Sequence, residues 1–193
     1  MGEVEGQVRT ERLDAEQEAR RRAALVQVRQ YPDPVLRMKA REVEEFDESL
    51  AQLAERMRRL MREAHGVGLA APQIGVSRRL LVYQTGDEEP AVALVNPRVA
   101  AASEEKSTAD EGCLSLGAAT VIVPVERHES VTVEGSSPAG EPLVIEAEGL
   151  EARVVQHEID HLNGVLTIDR STPEARREAL GLLRPYPALA PLG

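Results

Sequence analysis

Hydrophobic and polar positions divide this chain into an almost wholly polar start, a patterned middle and a short proline-rich end. From residue 1 to about residue 24, acids and arginines dominate, and only Met1, Val4, Val8 and Leu13 supply larger aliphatic side chains. Such a stretch has almost nothing to bury, which predicts a mobile charged extension, with a charged surface helix from Thr10 onward as the alternative. Leu25 opens the patterned region, where Val26, Val28 and Tyr31 hint at a short strand ended by the turn Pro32-Asp33-Pro34. Leu50, Leu53, Met57, Leu60, Met61 and Ala64 then recur at helical spacing, with Ser49 and Gln52 placed as a capping box and His65-Gly66 as the stop. The run from Gly66 to Gly75 is small and apolar with one amide, Gln73. It reads equally as a tight backbone crossing or as a substrate-lining loop with exposed backbone donors.

Leu80 to Tyr83 and Val92 to Val95 read as strands, the second closed by Asn96-Pro97, and a polar stretch follows from Ser103 to Asp110. Further strands are expected at Val121 to Val125, Ser130 to Val133 and Leu143 to Ala147. Gly149 to Gly164 reads as one helix: Leu150, Val154, His157 and His161 share one row, while Val155, Ile159 and Leu162 form a second. A helix apolar on two rows is a buried one. Thr172-Pro173-Glu174 opens a last helix through Leu183, with Thr172 as N-cap and Pro173 at its first position. Strands clustered before a buried helix give an α+β class: short antiparallel or mixed strands around a central buried H-E-x-x-H helix, with a C-terminal helix. The expected organisation is a charged extension over 1–24, a single catalytic domain over 25–184 and an irregular proline-rich tail over 185–193.

Composition narrows the function. Four aromatic residues in 193 require an aliphatic core, and a net charge of −10 argues against a general nucleic-acid or anionic-membrane surface and against a polyanionic substrate. One cysteine cannot form an internal disulfide, and the first residues lack a basic and an apolar signal region. No run approaches the roughly 18 apolar residues of a membrane span. The expected location is the cytoplasm, with no membrane association.

The candidate chemistry centres on His157-Glu158-Ile159-Asp160-His161. Histidines four apart lie one turn apart on one helix face and can reach one metal ion, while Glu158 points beside it, where a carboxylate can take a proton from the attacking water. Two histidines are an incomplete site. A metzincin-type third histidine is missing, because Thr167 stands at its position; a downstream carboxylate could come from Glu174 or Glu178; His65, His128 and the single Cys113 remain as well. The residues alone leave that ligand open.

Taken together, Gly66 to Gln73, Glu111 to Ser115 and Gln156 to His161 resemble the three signature motifs of the peptide deformylase family, G-x-G-L-A-A-x-Q, E-G-C-L-S and Q-H-E-x-D-H. The resemblance implies that Cys113 joins His157 and His161 as metal ligand, with Fe(II) as the physiological ion and Zn(II), Ni(II) or Co(II) able to replace it. It also implies removal of the N-formyl group from the formylmethionine of newly synthesised bacterial proteins, with formate released. Glu158 would act as base and then as acid, and Gln73 with the Leu114 N–H would stabilise the oxyanion. Val67, Leu114 and Val154 would line an apolar methionine pocket, and Gly68 would offer backbone hydrogen bonds. The partners implied are N-formylmethionyl peptides and, through the C-terminal helix, a transient contact with the ribosome. The enzyme alternative is an H-E-x-x-H zinc endopeptidase with a downstream carboxylate ligand; a structural metal site in a binding module is the non-enzyme one. The chain departs from the family pattern at Leu116-Gly117, where an apolar residue and proline are common, in a segment about two residues longer than usual, and at Thr167, where phenylalanine is common.

Overall fold

The computed structural model describes residues 4–5, 7–9, 13–86, 90–117 and 120–183; the expected proline-rich tail lies outside them. Two short strands, β1 (Val4–Glu5) and β2 (Val8–Arg9), pair antiparallel and lead to helix α1 (Ala15–Leu25). Asp14 and Gln17 form a reciprocal capping box at the α1 start, and Glu18 with Arg22 adds a same-face ion pair. These local interactions favour a helix that has little apolar surface. Within this segment Gln7, Val8 and Ala24 are nevertheless buried. No strand follows Leu25 either: Val26 caps α1 and is 86% exposed, and the chain turns through residues 26–33.

Helix α2 (Glu48–Glu63) begins two residues earlier than Ser49 as cap would place it. Asp47 is the N-cap, its carboxylate accepting the Leu50 N–H at 3.0 Å, while the Ser49 hydroxyl donates to that same carboxylate at 2.7 Å. At the other end His65, with φ 55°, takes the left-handed conformation expected of Gly66.

Strand β3 (Gly68–Ala70), a single 3-10 turn (Ala71–Ile74), β4 (Leu80–Tyr83) and β5 (Val92–Ala102) follow. After them come β6 (Lys106–Gly112), β7 (Ile122–His128), β8 (Ser130–Ser136) and β9 (Pro142–Glu148), then helices α3 (Gly149–Leu162), α4 (Thr167–Arg170) and α5 (Pro173–Leu183). The main sheet has the order β3-β4-β5-β8-β9, antiparallel throughout, and β6-β7 forms a separate hairpin. This is the α+β architecture expected, with Thr172 capping α5 through its hydroxyl as predicted.

Two strands exceed the sequence reading. Asn96-Pro97 does not end β5; Asn96, at φ 50°, makes a bulge between Val95 and Arg98, and its amide holds both Val43 N and Val43 O at 2.9 Å. A bulge is where a strand tolerates proline. The polar run after Ser103 is β6, whose outward side chains are exposed while its backbone pairs residue by residue with β7.

The period-2 alternation of β4 explains its complete burial. Leu80 and Val82 join Met57, Leu60 and Met61 of α2, whereas Leu81 and Tyr83 join Val154, Val155 and Ile159 of α3. β4 is thus sandwiched between the two helices, and burying each such leucine contributes about 1.5–3 kcal/mol. A third cluster joins Cys113, Leu116, Val123 and Val125 of the hairpin region to Leu166, Ile168 and Ala179. The hairpin is thereby fixed against the C-terminal part of the chain, with Cys113 directly after β6.

Candidate active site

Helix α3 starts straight from β9, so its position is set by the sheet, and it carries His157, Glu158 and His161 into the interior. Cys113 reaches them from the end of β6. The ligand atoms of Cys113, His157 and His161 lie within 4.8 Å of one another, and Cys113 Sγ is 3.3 Å from His161 Nε2. These are the residue types and number of a catalytic metal centre with a position left open.

The surroundings fit such an ion. His157 Nδ1 lies 2.9 Å from Glu111 Oε2, and since a carboxylate only accepts, the ring proton sits there and the Nε2 lone pair is free. That Nε2 is buried without a hydrogen-bond partner among the described residues. Burial, with His157 and Arg127 nearby, holds His161 well below the usual histidine range, so the imidazole stays neutral and able to ligate. Burial also pushes the Cys113 thiol up, so that a thiolate becomes its stable form here only against a bound cation.

Behind the histidines lies a buried charge network. Glu111 accepts two hydrogen bonds from Arg127, both 2.9 Å, and one from Arg153 at 2.8 Å. Burial alone would raise the Glu111 carboxyl, but hydrogen bonds from His157 and Arg127 outweigh it and hold the group well below the usual carboxylate range. Arg127 also donates to Asp160 at 2.6 Å, and Arg170 donates to the other Asp160 oxygen at 2.6 Å.

On the other side of the histidines, Ala70 N donates to Gln73 Oε1 at 2.9 Å, which fixes the carboxamide with its NH2 toward Cys113 Sγ, at 3.8 Å, and the Ser115 hydroxyl, at 3.1 Å. Gln73 Nε2 and the Leu114 N–H both donate to one oxygen, Gln7 Oε1, at 3.1 and 2.9 Å. The nitrogen of that same Gln7 amide donates to Glu158 Oε1 at 2.9 Å, and Glu158 Oε2 has no partner among the described residues. Burial pushes the Glu158 carboxyl well up. Gly68 lies against Glu158, a contact that leaves no room for a side chain.

The structure therefore brings together Cys113, His157, His161, Glu158, Gln73 and the Leu114 N–H, with Gly68 beside them. It divides the apolar trio expected to hold methionine: Val67 and Val154 share one core cluster, whereas the Leu114 side chain belongs to another that includes Val8. Glu174 and Glu178, the alternative carboxylate ligands, are exposed on α5. The sequence gives no role to Gln7, Glu111, Arg127, Arg153 or Asp160. Two of these were open to detection, because Arg153 is a charge one turn before His157 on a buried helix and Asp160 stands inside the histidine motif. Gln7 has no local signal.

Fold and site together define a metal-dependent hydrolase built around an H-E-x-x-H helix. The chain belongs to the polypeptide deformylase family, whose sequence model matches residues 25–177. It is 44% identical over 155 residues to a peptide deformylase of Desulforudis audaxviator, spanning 80% of this chain and 99% of that protein. A Thermotoga neapolitana peptide deformylase is 47% identical over 152 residues, spanning 79% and 90% respectively. The crystal structure of a peptide deformylase from Legionella pneumophila superposes with a TM-score of 0.76 at 43% identity, covering 81% of this chain and 91% of that one. These relationships disfavour the endopeptidase alternative. Among the described residues no helix is long and apolar enough to cross a membrane.

Proposed function

We propose that this hydrolase takes the N-formyl group from formylmethionyl peptides by means of Cys113, His157 and His161 as metal ligands, Glu158 as general base and acid, and Gln73 with the Leu114 N–H as oxyanion donors. The observation that carries the assignment is the amide group already seated among these residues. Its oxygen is shared by Gln73 and Leu114, and its nitrogen rests on Glu158. A formyl amide presents the same oxygen and nitrogen to the same three groups.

Cys113, His157 and His161 would hold a divalent cation, which would supply Lewis acidity and lower the pKa of water. Fe(II) is the ion proposed for the cell, with Zn(II), Ni(II) or Co(II) compatible with the same donor set. Glu158, with one carboxylate oxygen that has no partner among the described residues, takes the proton of the attacking water and passes it to the leaving amine. As the formyl carbon becomes tetrahedral, charge grows on its oxygen, where two donors already converge and no reorganisation is required. Glu111 keeps the His157 ring oriented. Val67 and Val154, which pack in one cluster, are proposed to receive the methionine side chain, and Gly68 to meet the peptide backbone. We place the reaction in the bacterial cytoplasm, on nascent chains. Helix α5, with Arg176 and Arg177 on its exposed side, is proposed for the transient ribosome contact.

The assay is formate release from a formyl-Met peptide by anaerobically purified protein. Turnover of that peptide, with an unformylated peptide of the same sequence left uncleaved, is expected. Cleavage of internal peptide bonds without formate would support the endopeptidase instead.

A further inference from the structure

The amide seated in the site belongs to the chain itself, and it arrives on a segment that precedes the family match beginning at residue 25. We propose that the stretch around Gln7 is an intramolecular substrate mimic that occupies the deformylase site and must leave before a peptide can enter. This rests on the deformylase reading given above.

Three independent features of residues 7–9 support it. The first is chemical: a glutamine side chain ends in the –C(=O)–N unit that a formylated amine presents, and all of its polar capacity is directed at the reactive groups. Its oxygen accepts from Leu114 N and Gln73 Nε2, and its nitrogen donates to Gln73 Oε1 at 2.8 Å and to Glu158 Oε1 at 2.9 Å. The second is the backbone. Gln7 N donates to Gly112 O at 3.1 Å, Val67 N donates to Gln7 O at 2.9 Å and Arg9 N donates to His65 O at 3.2 Å, with an antiparallel bridge between Val8 and Gly66. The segment thus binds as an added strand between the two motif loops, the mode by which an extended peptide gains main-chain hydrogen bonds. The third is closure: Cys113, Gln73 and Glu158 have no exposed surface and His157 and His161 only 1%, while Gln7 itself is fully buried. A hydrolase must admit its substrate, and within this closed site it is the Gln7 side chain that is bonded to Gln73, Glu158 and Leu114.

The occupancy is suited to reversal. Val8 is its buried aliphatic anchor, packed in the cluster of Leu114, and the backbone contacts of Gln7 are hydrogen bonds that water or a peptide can replace. The amide carbon of Gln7 carries the Cγ methylene where a formyl group carries only hydrogen, so the mimic fits the donors with a bulkier group at the reacting carbon.

The test compares the full-length wild type with two full-length variants, Gln7→Ala and Val8→Asp, which disable docking by different means. A segment docked about nine-tenths of the time raises the apparent KM about tenfold, so both variants are expected to show a KM for a formyl-Met peptide lower by about that factor. Amide hydrogen exchange at Val67, whose N–H is held by Gln7 O, should be slow in wild type and about tenfold faster in both variants. Formate release with the same KM in all three proteins would overturn the mimic while leaving the deformylase reading intact. Equally fast Val67 exchange in all three would also overturn it. Metal-loaded wild type and variants that all release no formate would instead sink the deformylase reading.

Discussion

A Cβ built on Gly68 would sit 2.2 Å from Glu158 Oε1, so the glycine of strand β3 and the carboxylate of helix α3 are in contact without space for even a methyl group between them. The carboxylate is the movable partner. Gly68→Ala should therefore displace Glu158 rather than unfold the sheet, and misplacing a reacting group by about 1 Å can cost on the order of 10²-fold in rate. We expect kcat to fall by about that factor while bound metal is retained. A variant with unchanged kcat would show that the position of Glu158 is not critical.

Glu111 joins the β6 strand to the metal helix through His157 and to two buried arginines, Arg127 and Arg153. Glu111→Gln removes the charge those guanidiniums face, a loss that typically costs about 3–5 kcal/mol for a buried pair. It also loosens the His157 ring, with metal affinity expected to drop by roughly 10–100-fold. Denaturant unfolding and metal titration would measure the two effects; no change in either would mean that the network is incidental.

Gln73→Leu should keep metal and fold but lower kcat by about 10²–10³-fold, the usual consequence of removing one oxyanion donor. Steady-state kinetics with a formyl-Met peptide would decide it. A kcat equal to wild type would reduce Gln73 to a packing residue that positions Ala70.

Asp169 offers a prediction in pH. Burial would raise its carboxyl, but hydrogen bonds from Arg37 and the Leu166 N–H, with Arg176 close by, lower it below the ordinary value of 3.8. A carboxylate with a depressed folded pKa adds stability that is fully present above the unfolded value and is lost as pH falls through the folded one. Asp169→Asn should thus cost roughly 1 kcal/mol at pH 7, less than the about 1.5–3 kcal/mol of a hydrogen bond to a buried charged group because solvent screens this partly exposed site. Below pH 3.8 the difference from wild type should shrink. A gap that widened in acid would contradict the assignment.

The legible parts of this molecule are those whose information is local. The four-residue spacing of His157 and His161 specifies a shared helix face, and the unbroken apolar run Leu80 to Tyr83 specifies a strand buried on both sides. Strand β6 was not legible, because Lys106, Ser107, Thr108 and Asp110 face outward and its order comes from backbone pairing with β7, which leaves no apolar trace. β5 was cut short because proline after asparagine ordinarily ends a strand, whereas the Asn96 amide, bonded to Val43, stabilises a bulge instead. In the site, the motif glutamine, cysteine and histidines were readable as donor types. Gln7 was not, since its partners Gln73 and Glu158 lie 66 and 151 positions away and a lone glutamine among charges gives no sign of burial.

The most direct test of the account measures metal content and formate release side by side in wild type, Cys113→Ala and Glu158→Ala, all purified anaerobically. Wild type should hold one metal ion per chain and release formate. Cys113→Ala should lose tight metal binding and activity together, because two imidazoles are left to hold the ion. Glu158→Ala should keep its metal and lose nearly all turnover. Stoichiometric metal loss from Glu158→Ala, or a Cys113→Ala variant that retains its metal, would contradict the division between ligand and base on which the mechanism stands.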